Sequence, residues 1–191
     1  MAEENSGKVL YTADEIDAAV KNVARMIISE FPADSLDSLA FLGIQKNGIP
    51  FNERLLAKIE AITGKKLESG TIDITMHRDD IGMRKTLPVI RETNIPFDIN
   101  ERIIILADDF LQTGRTIRAA LDVITDYGRP DLIRLAVLLV CGSTEYPISA
   151  DYIGIVCPTI SPDKKIEVEW KEYEGADRVI EIERAPATKD K

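Results

Sequence analysis

Histidine occurs once in this chain of 191 residues, tryptophan once and cysteine twice. A single histidine, His77, gives no ground for assigning an imidazole general base. The two cysteines, Cys141 and Cys157, lie in apolar surroundings and read as reduced core thiols. No apolar run approaches the roughly 18 residues of a membrane span, and no signal-peptide pattern precedes the first helix, so a cytoplasmic protein with no membrane partner is expected. Basic residues are in deficit. The 24 Lys and Arg against 33 Asp and Glu leave a net charge of −9, which argues against a broad nucleic-acid footprint while leaving room for a local basic face. Neither G-x-x-x-x-G-K-[ST] nor G-x-G-x-x-G occurs, so the common phosphate-loop and dinucleotide fingerprints are excluded. No internal repeat or low-complexity segment appears. What is present, 45% hydrophobic and 30% charged residues, fits one globular domain over 1–191 with residues 1–8 and 185–191 as loose tails.

The most informative stretch is residues 103–116, IIILADDFLQTGRT. Its unbroken β-branched start, 103–107, predicts a strand covered on both faces in a parallel sheet. Asp108 and Asp109 follow at the carboxyl end, where open α/β sheets bind ligands. Thr113, Gly114, Arg115 and Thr116 then open a helix marked by Ile117, Ala120, Leu121 and Ile124 and stopped by Gly128 and Pro130. A helix N-terminus offers unpaired N–H groups and a favourable dipole to an anion. Two carboxylates nearby would repel a bare phosphate, but they suit sugar hydroxyls or a metal ion carried by the ligand. The stretch therefore points to a sugar phosphate with magnesium. A helix cap and an ordinary turn would use the same residue types. A receiver-type acidic pair would want a further Asp and a Lys at later strand ends, whereas the next strand, 135–140, runs into Cys141, Gly142 and Ser143.

Elsewhere, Thr12 and Glu15 have capping-box spacing before a helical face of Ile16, Val20, Val23 and Ile27. Residues 39–42 predict the first core strand. A turn over 43–48 follows, then a helix with Pro50 in its first turn, closed by Gly64. Ile72, Ile74 and Met76 alternate with Asp73 and Thr75 as in a strand. Residues 77–102 lack periodicity and carry Arg78, Arg84, Lys85 and Arg91, with Pro88 and Pro96 as breakers. A loop of that length is expected to be functional or disordered. Near the end, Ile166, Val168 and Trp170 alternate with Glu167, Glu169 and Lys171, and 179–182 is the expected hairpin partner. Trp170 on such a strand reads as packing rather than as a stacking platform.

Residues 105–116, ILADDFLQTGRT, resemble the phosphoribosyl-pyrophosphate (PRPP) motif of type I phosphoribosyltransferases. TIDITMHRDDI, LDVITDYGRPDLIRLAVLL and ISADYIG narrow the resemblance to the bifunctional pyrimidine-operon regulators that are also uracil phosphoribosyltransferases. The likeness covers residues 12–183. It implies an α/β fold, a central parallel sheet with helices on both faces and a small C-terminal hood, with 151–154 and 157–159 in the hood. It implies Asp108, Asp109 and Arg78 as catalytic residues. Substrate contacts would come from these three with Lys46, Asn47, Gly48, Leu111, Gln112, Thr113, Gly114, Arg115 and Thr116. Magnesium would arrive bound to PRPP, without a direct protein ligand. Implied partners are PRPP, uracil, UMP or other uridine nucleotides and pyrimidine-operon leader RNA, in a homodimer or larger homo-oligomer. The loop after residue 77 would be mobile when free and close over the leaving pyrophosphate. An alternative is a nucleotide-sensing, RNA-binding attenuation regulator with little or no transferase activity.

The chain departs from the family at four places. Residues 45–48 read Gln-Lys-Asn-Gly where the family has Lys-Thr-Arg-Gly, one basic group fewer. Gln112 stands where purine-salvage relatives carry an acid and the pyrimidine regulators Tyr. Residues 140–147 lack two arginines and a histidine, and Ile155 replaces a frequent Lys.

Overall fold

Among the described residues, the first strand pairs with the last. The computed structural model describes residues 7–79, 90–158 and 161–184. Arg84, Lys85, Pro88, Thr159 and most of both expected tails lie outside the described residues. Strand β1 (Lys8–Tyr11) runs antiparallel to β8 (Arg178–Glu183), which pairs with β7 (Lys164–Glu169). These three make the hood, in the order β1-β8-β7. The expected hairpin is present, with Ile166 opposite Glu181 and Val168 opposite Val179. A short helix, α4 (Lys171–Glu174), follows β7. Trp170 at its N-cap is fully buried, with the Arg54 guanidinium 4.4 Å from its ring centroid.

The main sheet is parallel throughout. It contains β2 (Leu39–Ile44), β3 (Glu68–Ile72), β4 (Ile103–Leu111), β5 (Leu132–Cys141) and β6 (Tyr152–Cys157), in the order β3-β2-β4-β5-β6. All six residues of β2 and most of β4 and β5 are buried, as runs without alternation require. Helices α1 (Ala13–Glu30) and α2 (Gly48–Thr63) pack on one face with Phe41, Ile105 and Leu138. Helix α3 (Arg115–Tyr127) packs on the other with Leu42, Ile104 and Leu106. The alternation of Ile104, Leu106 against Ile105, Ala107 divides β4 between the two cores. Each large aliphatic side chain so buried contributes about 1.5–3 kcal/mol. Among the described residues no helix is long and apolar enough to cross a membrane.

Helix α1 starts where the capping box places it. Thr12 N–H donates to Glu15 Oε2 at 2.8 Å, and the Thr12 hydroxyl accepts from Glu15 N–H. Two expectations need correction. The alternation at 72–76 is not a strand: β3 ends at Ile72, and Thr75–His77 forms one 3-10 turn with Met76 in solvent. The cause is Asp73, whose carboxylate accepts the N–H of Thr75 at 2.6 Å and the N–H of Arg91, curling the chain. Residues 152–157 belong to the main sheet as its edge strand, not to the hood, because Ala136 to Cys141 of β5 offers them a parallel partner. Helix α2 carries Pro50 in its first turn, as its sequence predicts.

Candidate active site

A cleft of about 920 Å³ opens between the carboxyl end of the main sheet and the hood. Its floor is β4, which runs four residues beyond the expected 103–107, so that Asp108 and Asp109 sit within the strand. Both are nearly buried, at 5% and 9% exposure. Asp108 Oδ1 accepts the N–H of Asp109 at 3.0 Å. Burial and the neighbouring Asp109 carboxylate hold the Asp108 carboxyl well above the usual range. Burial pushes Asp109 up to about 6, offset in part by a hydrogen bond from Asn47. Arg78 bears on Asp108 in the opposite sense to burial. Two acids packed together and short of solvent are poised for hydroxyl donors or for cationic charge arriving with a ligand.

The turn after β4 is braced from outside. Gly114 has φ +86°, a left-handed conformation that residues with a Cβ rarely adopt. The Thr113 carbonyl accepts the N–H groups of Glu145 and Tyr146 at 2.9 and 3.2 Å, and Thr113 Oγ1 accepts the N–H of Arg115 at 3.3 Å. The first turn of α3 leaves its N–H groups without intrahelical acceptors. Thr116 lines the cleft. Arg115 is drawn the other way, pairing with Asp79 at 2.5 Å and Glu145 at 2.7 Å. Leu111 is buried in the α3-side core, opposite Val140 of β5, and Gln112 is half-buried.

Across the cleft, Lys46 and Asn47 line the opposite wall. Lys46 Nζ lies 3.9 Å from the centroid of the Tyr173 ring and 3.4 Å from Glu174 Oε1, both on α4. Asn47 Nδ2 donates to the Val168 carbonyl of β7 at 3.4 Å, so this side chain ties Asp109 to the hood. Gly48 is a packing requirement: a Cβ there would lie 2.6 Å from the Ala107 carbonyl oxygen and 3.2 Å from Asp108 Cα. Arg78 also lines the cleft. His77 faces away, its Nε2 3.0 Å from Asp126 Oδ2 on α3.

Of the sequence candidates, the cleft brings together Lys46, Asn47, Arg78, Asp108, Asp109 and Thr116. Arg91, noted in the sequence only as one charge of the long loop, also lines it, as do Thr75, Glu169 and Glu174, which sequence reasoning did not single out. No local motif marks them, since each reaches the cleft by long-range folding.

A doubly covered parallel sheet with an acid pair and a helix-opening turn at its carboxyl edge defines an α/β protein of the phosphoribosyltransferase type. The chain belongs to the phosphoribosyl transferase domain family, whose model matches residues 12–173. Two similar curated relatives, from Deinococcus deserti and Roseiflexus sp., both bear the name Bifunctional protein PyrR. The first is 45% identical over 170 residues, 89% of this chain and 91% of that one. The second is 44% identical over 181 residues, 95% of this chain and 97% of that one. A hypoxanthine phosphoribosyltransferase from Trypanosoma cruzi, solved with IMP, shares the fold with a TM-score of 0.74 over the full length of both chains at 17% identity.

Proposed function

We propose that the chain transfers the ribosyl phosphate of PRPP to a ring nitrogen of uracil, yielding UMP and pyrophosphate. The observation that carries this reading is the nearly buried Asp108–Asp109 pair on β4, followed within a few residues by the braced turn and helix N-terminus at Thr113, Gly114, Arg115 and Thr116. In this reading the two carboxylates accept hydrogen bonds from the ribose hydroxyls. The N–H and hydroxyl groups of the turn take the 5′-phosphate. Lys46, the backbone at Gly48 and Arg78 meet the pyrophosphate. The bond from the anomeric carbon to pyrophosphate oxygen breaks, the bond to the base nitrogen forms, and the nitrogen gives up its proton.

Positive charge builds on the sugar carbon as the first bond breaks, and the acid pair lies on the same floor to stabilise it. Magnesium bound to PRPP would face Asp108 and Asp109, whose mutual repulsion it would relieve, and would offset charge on the leaving group. The hood covers the cleft and limits water, which would otherwise hydrolyse the activated sugar. A cytoplasmic homo-oligomer is part of the same proposal.

The test is a magnesium-dependent assay of PRPP against a panel of bases. UMP from uracil is expected. Nucleotide formed only from hypoxanthine or guanine, or no nucleotide from any base, would overturn the reading.

The curated relatives are called bifunctional. The second function we propose is binding of pyrimidine-operon leader RNA, weak and steeply salt-dependent, because 140–147 lacks basic residues and its Glu145 sits on Arg115. Filter binding across a salt series measures it alongside the base panel. Tight, salt-tolerant binding with no UMP synthesis would favour a regulator that keeps the pocket as a sensor.

A further inference from the structure

Pyrophosphate is highly charged, and each of two cations near its proposed place is already shared. Lys46 lies against Glu174 of the hood, and Arg78 bears on Asp108. The same cleft is lined by a third cation, Arg91, whose backbone is fixed from three directions. Its N–H donates to Asp73 at the end of β3. Next to it, the Glu92 carbonyl accepts from Gln45 Nε2 at 2.7 Å, which joins this segment to the turn carrying Lys46. Two residues further, Asn94 and Thr71 exchange both backbone hydrogen bonds at 2.8 Å, and Thr93 Oγ1 accepts the N–H of Asp73 at 3.0 Å. Burial and nearby carboxylates raise the Tyr173 hydroxyl above its ordinary value, the Arg91 charge offsets this in part, and the Tyr173 ring lies 3.9 Å from Lys46. Lys46 and Arg91 therefore line the same cleft, with Tyr173 near both.

Resting on the transferase reading above, we propose that Arg91 is a pyrophosphate-binding residue acting with Lys46, and that Asp73 is the positioning residue that holds it there. Asp73 accepts the N–H groups of both Thr75 and Arg91, so one carboxylate sets the path of the chain on each side of the long loop. A guanidinium on a rigid backbone suits paired phosphate oxygens, and its charge replaces the basic group that Asn47 does not provide.

The experiment uses the full chain with magnesium and measures KM for PRPP, inhibition by inorganic pyrophosphate and the Kd of UMP, which has no pyrophosphate group. Arg91→Gln is expected to weaken PRPP and pyrophosphate on the order of ten- to a hundredfold, as loss of a charge-assisted contact does, and to move UMP by less than about twofold. Arg91→Lys restores part of the loss. Asp73→Ala shifts the same two ligands in the same direction and spares UMP, which a general loss of structure would not do. If the unaltered chain binds PRPP and pyrophosphate and Arg91→Gln binds them equally well, the role of Arg91 is overturned and the transferase reading stands. If the unaltered chain binds neither, both fall.

Discussion

At one end of the cleft, nine consecutive positions, 108–116, supply the acids, the turn and the opening of α3, and backbone hydrogen bonds from 145 and 146 hold them. At the other end, Lys46, Thr75, Arg91 and Glu174 come from four separated segments, joined by side chains: Lys46 to Glu174, Gln45 to the Glu92 carbonyl, Asp73 to the Arg91 N–H. The first end is built by local folding on a buried strand. The second exists only when the hood, the turn after β2 and the return of the long loop meet. A contiguous end is expected to be rigid and intolerant of change, and an assembled end to be adjustable in small steps.

The largest effect should fall on the contiguous end. Asp108→Asn and Asp109→Asn are each expected to lower kcat/KM with PRPP on the order of 10²–10³-fold, since each removes a charged acceptor. Calorimetry that finds PRPP binding unchanged in both variants would show that the acids are not the ribose site. The same substitutions should raise the melting temperature of the free protein. The folded pKa of Asp109, about 6, exceeds its unfolded value, so ionisation opposes folding. Its stabilising contribution is complete below the unfolded value near 4 and is lost as pH rises through about 6. The free protein should accordingly gain about 1 kcal/mol between pH 7 and pH 5 from Asp109 alone, and Asp109→Asn should lose that gain. Asp108, shifted in the same direction, adds to it. The lowered carboxyls of Asp73 and Glu30 matter only below this window.

An intermediate effect tests the join between the two ends. Gly48→Ala pushes a methyl group against the Ala107 carbonyl and should cost about 1–3 kcal/mol of stability, read as a shift in denaturant midpoint. A midpoint equal to the parent's, with only PRPP binding reduced, would make Gly48 a ligand contact and not a packing contact. The smallest effect belongs to the assembled end. Glu174→Gln releases Lys46 from a half-exposed ion pair and should lower KM for PRPP about two- to threefold. A raised KM would mean that Glu174 positions Lys46 instead of competing for it.

The same division governs what the sequence makes legible. The Thr12–Glu15 cap, the Gly64 stop of α2 and the strand–acid–turn–helix run of β4 and α3 follow from neighbours a few residues apart, and each is found where its residues place it, with β4 longer than expected. Strand β1 is four residues long, and its partner lies at the other end of the chain, so no local period announces it. The alternation at 72–76 satisfies a strand pattern, yet Asp73 captures two N–H groups and turns the chain. Residues 152–157 suit a hood strand or a sheet edge equally, and only the register with β5 decides. Arg91 and Glu174 look like surface charges until the fold brings both to the cleft that Lys46 lines.

The pairing of β1 with β8 also bears on how the molecule is made. Translation releases residues 8–11 before the other described strands and their partner, 178–183, after them. A nascent chain that has emerged as far as residue 157 already holds every strand of the five-stranded sheet, but only one strand of the three-stranded hood. Closing the widest loop among the described strands waits until residues 178–183 have emerged, and until then β1 lacks the partner it has in the hood. During that interval the acid pair has its floor and no roof.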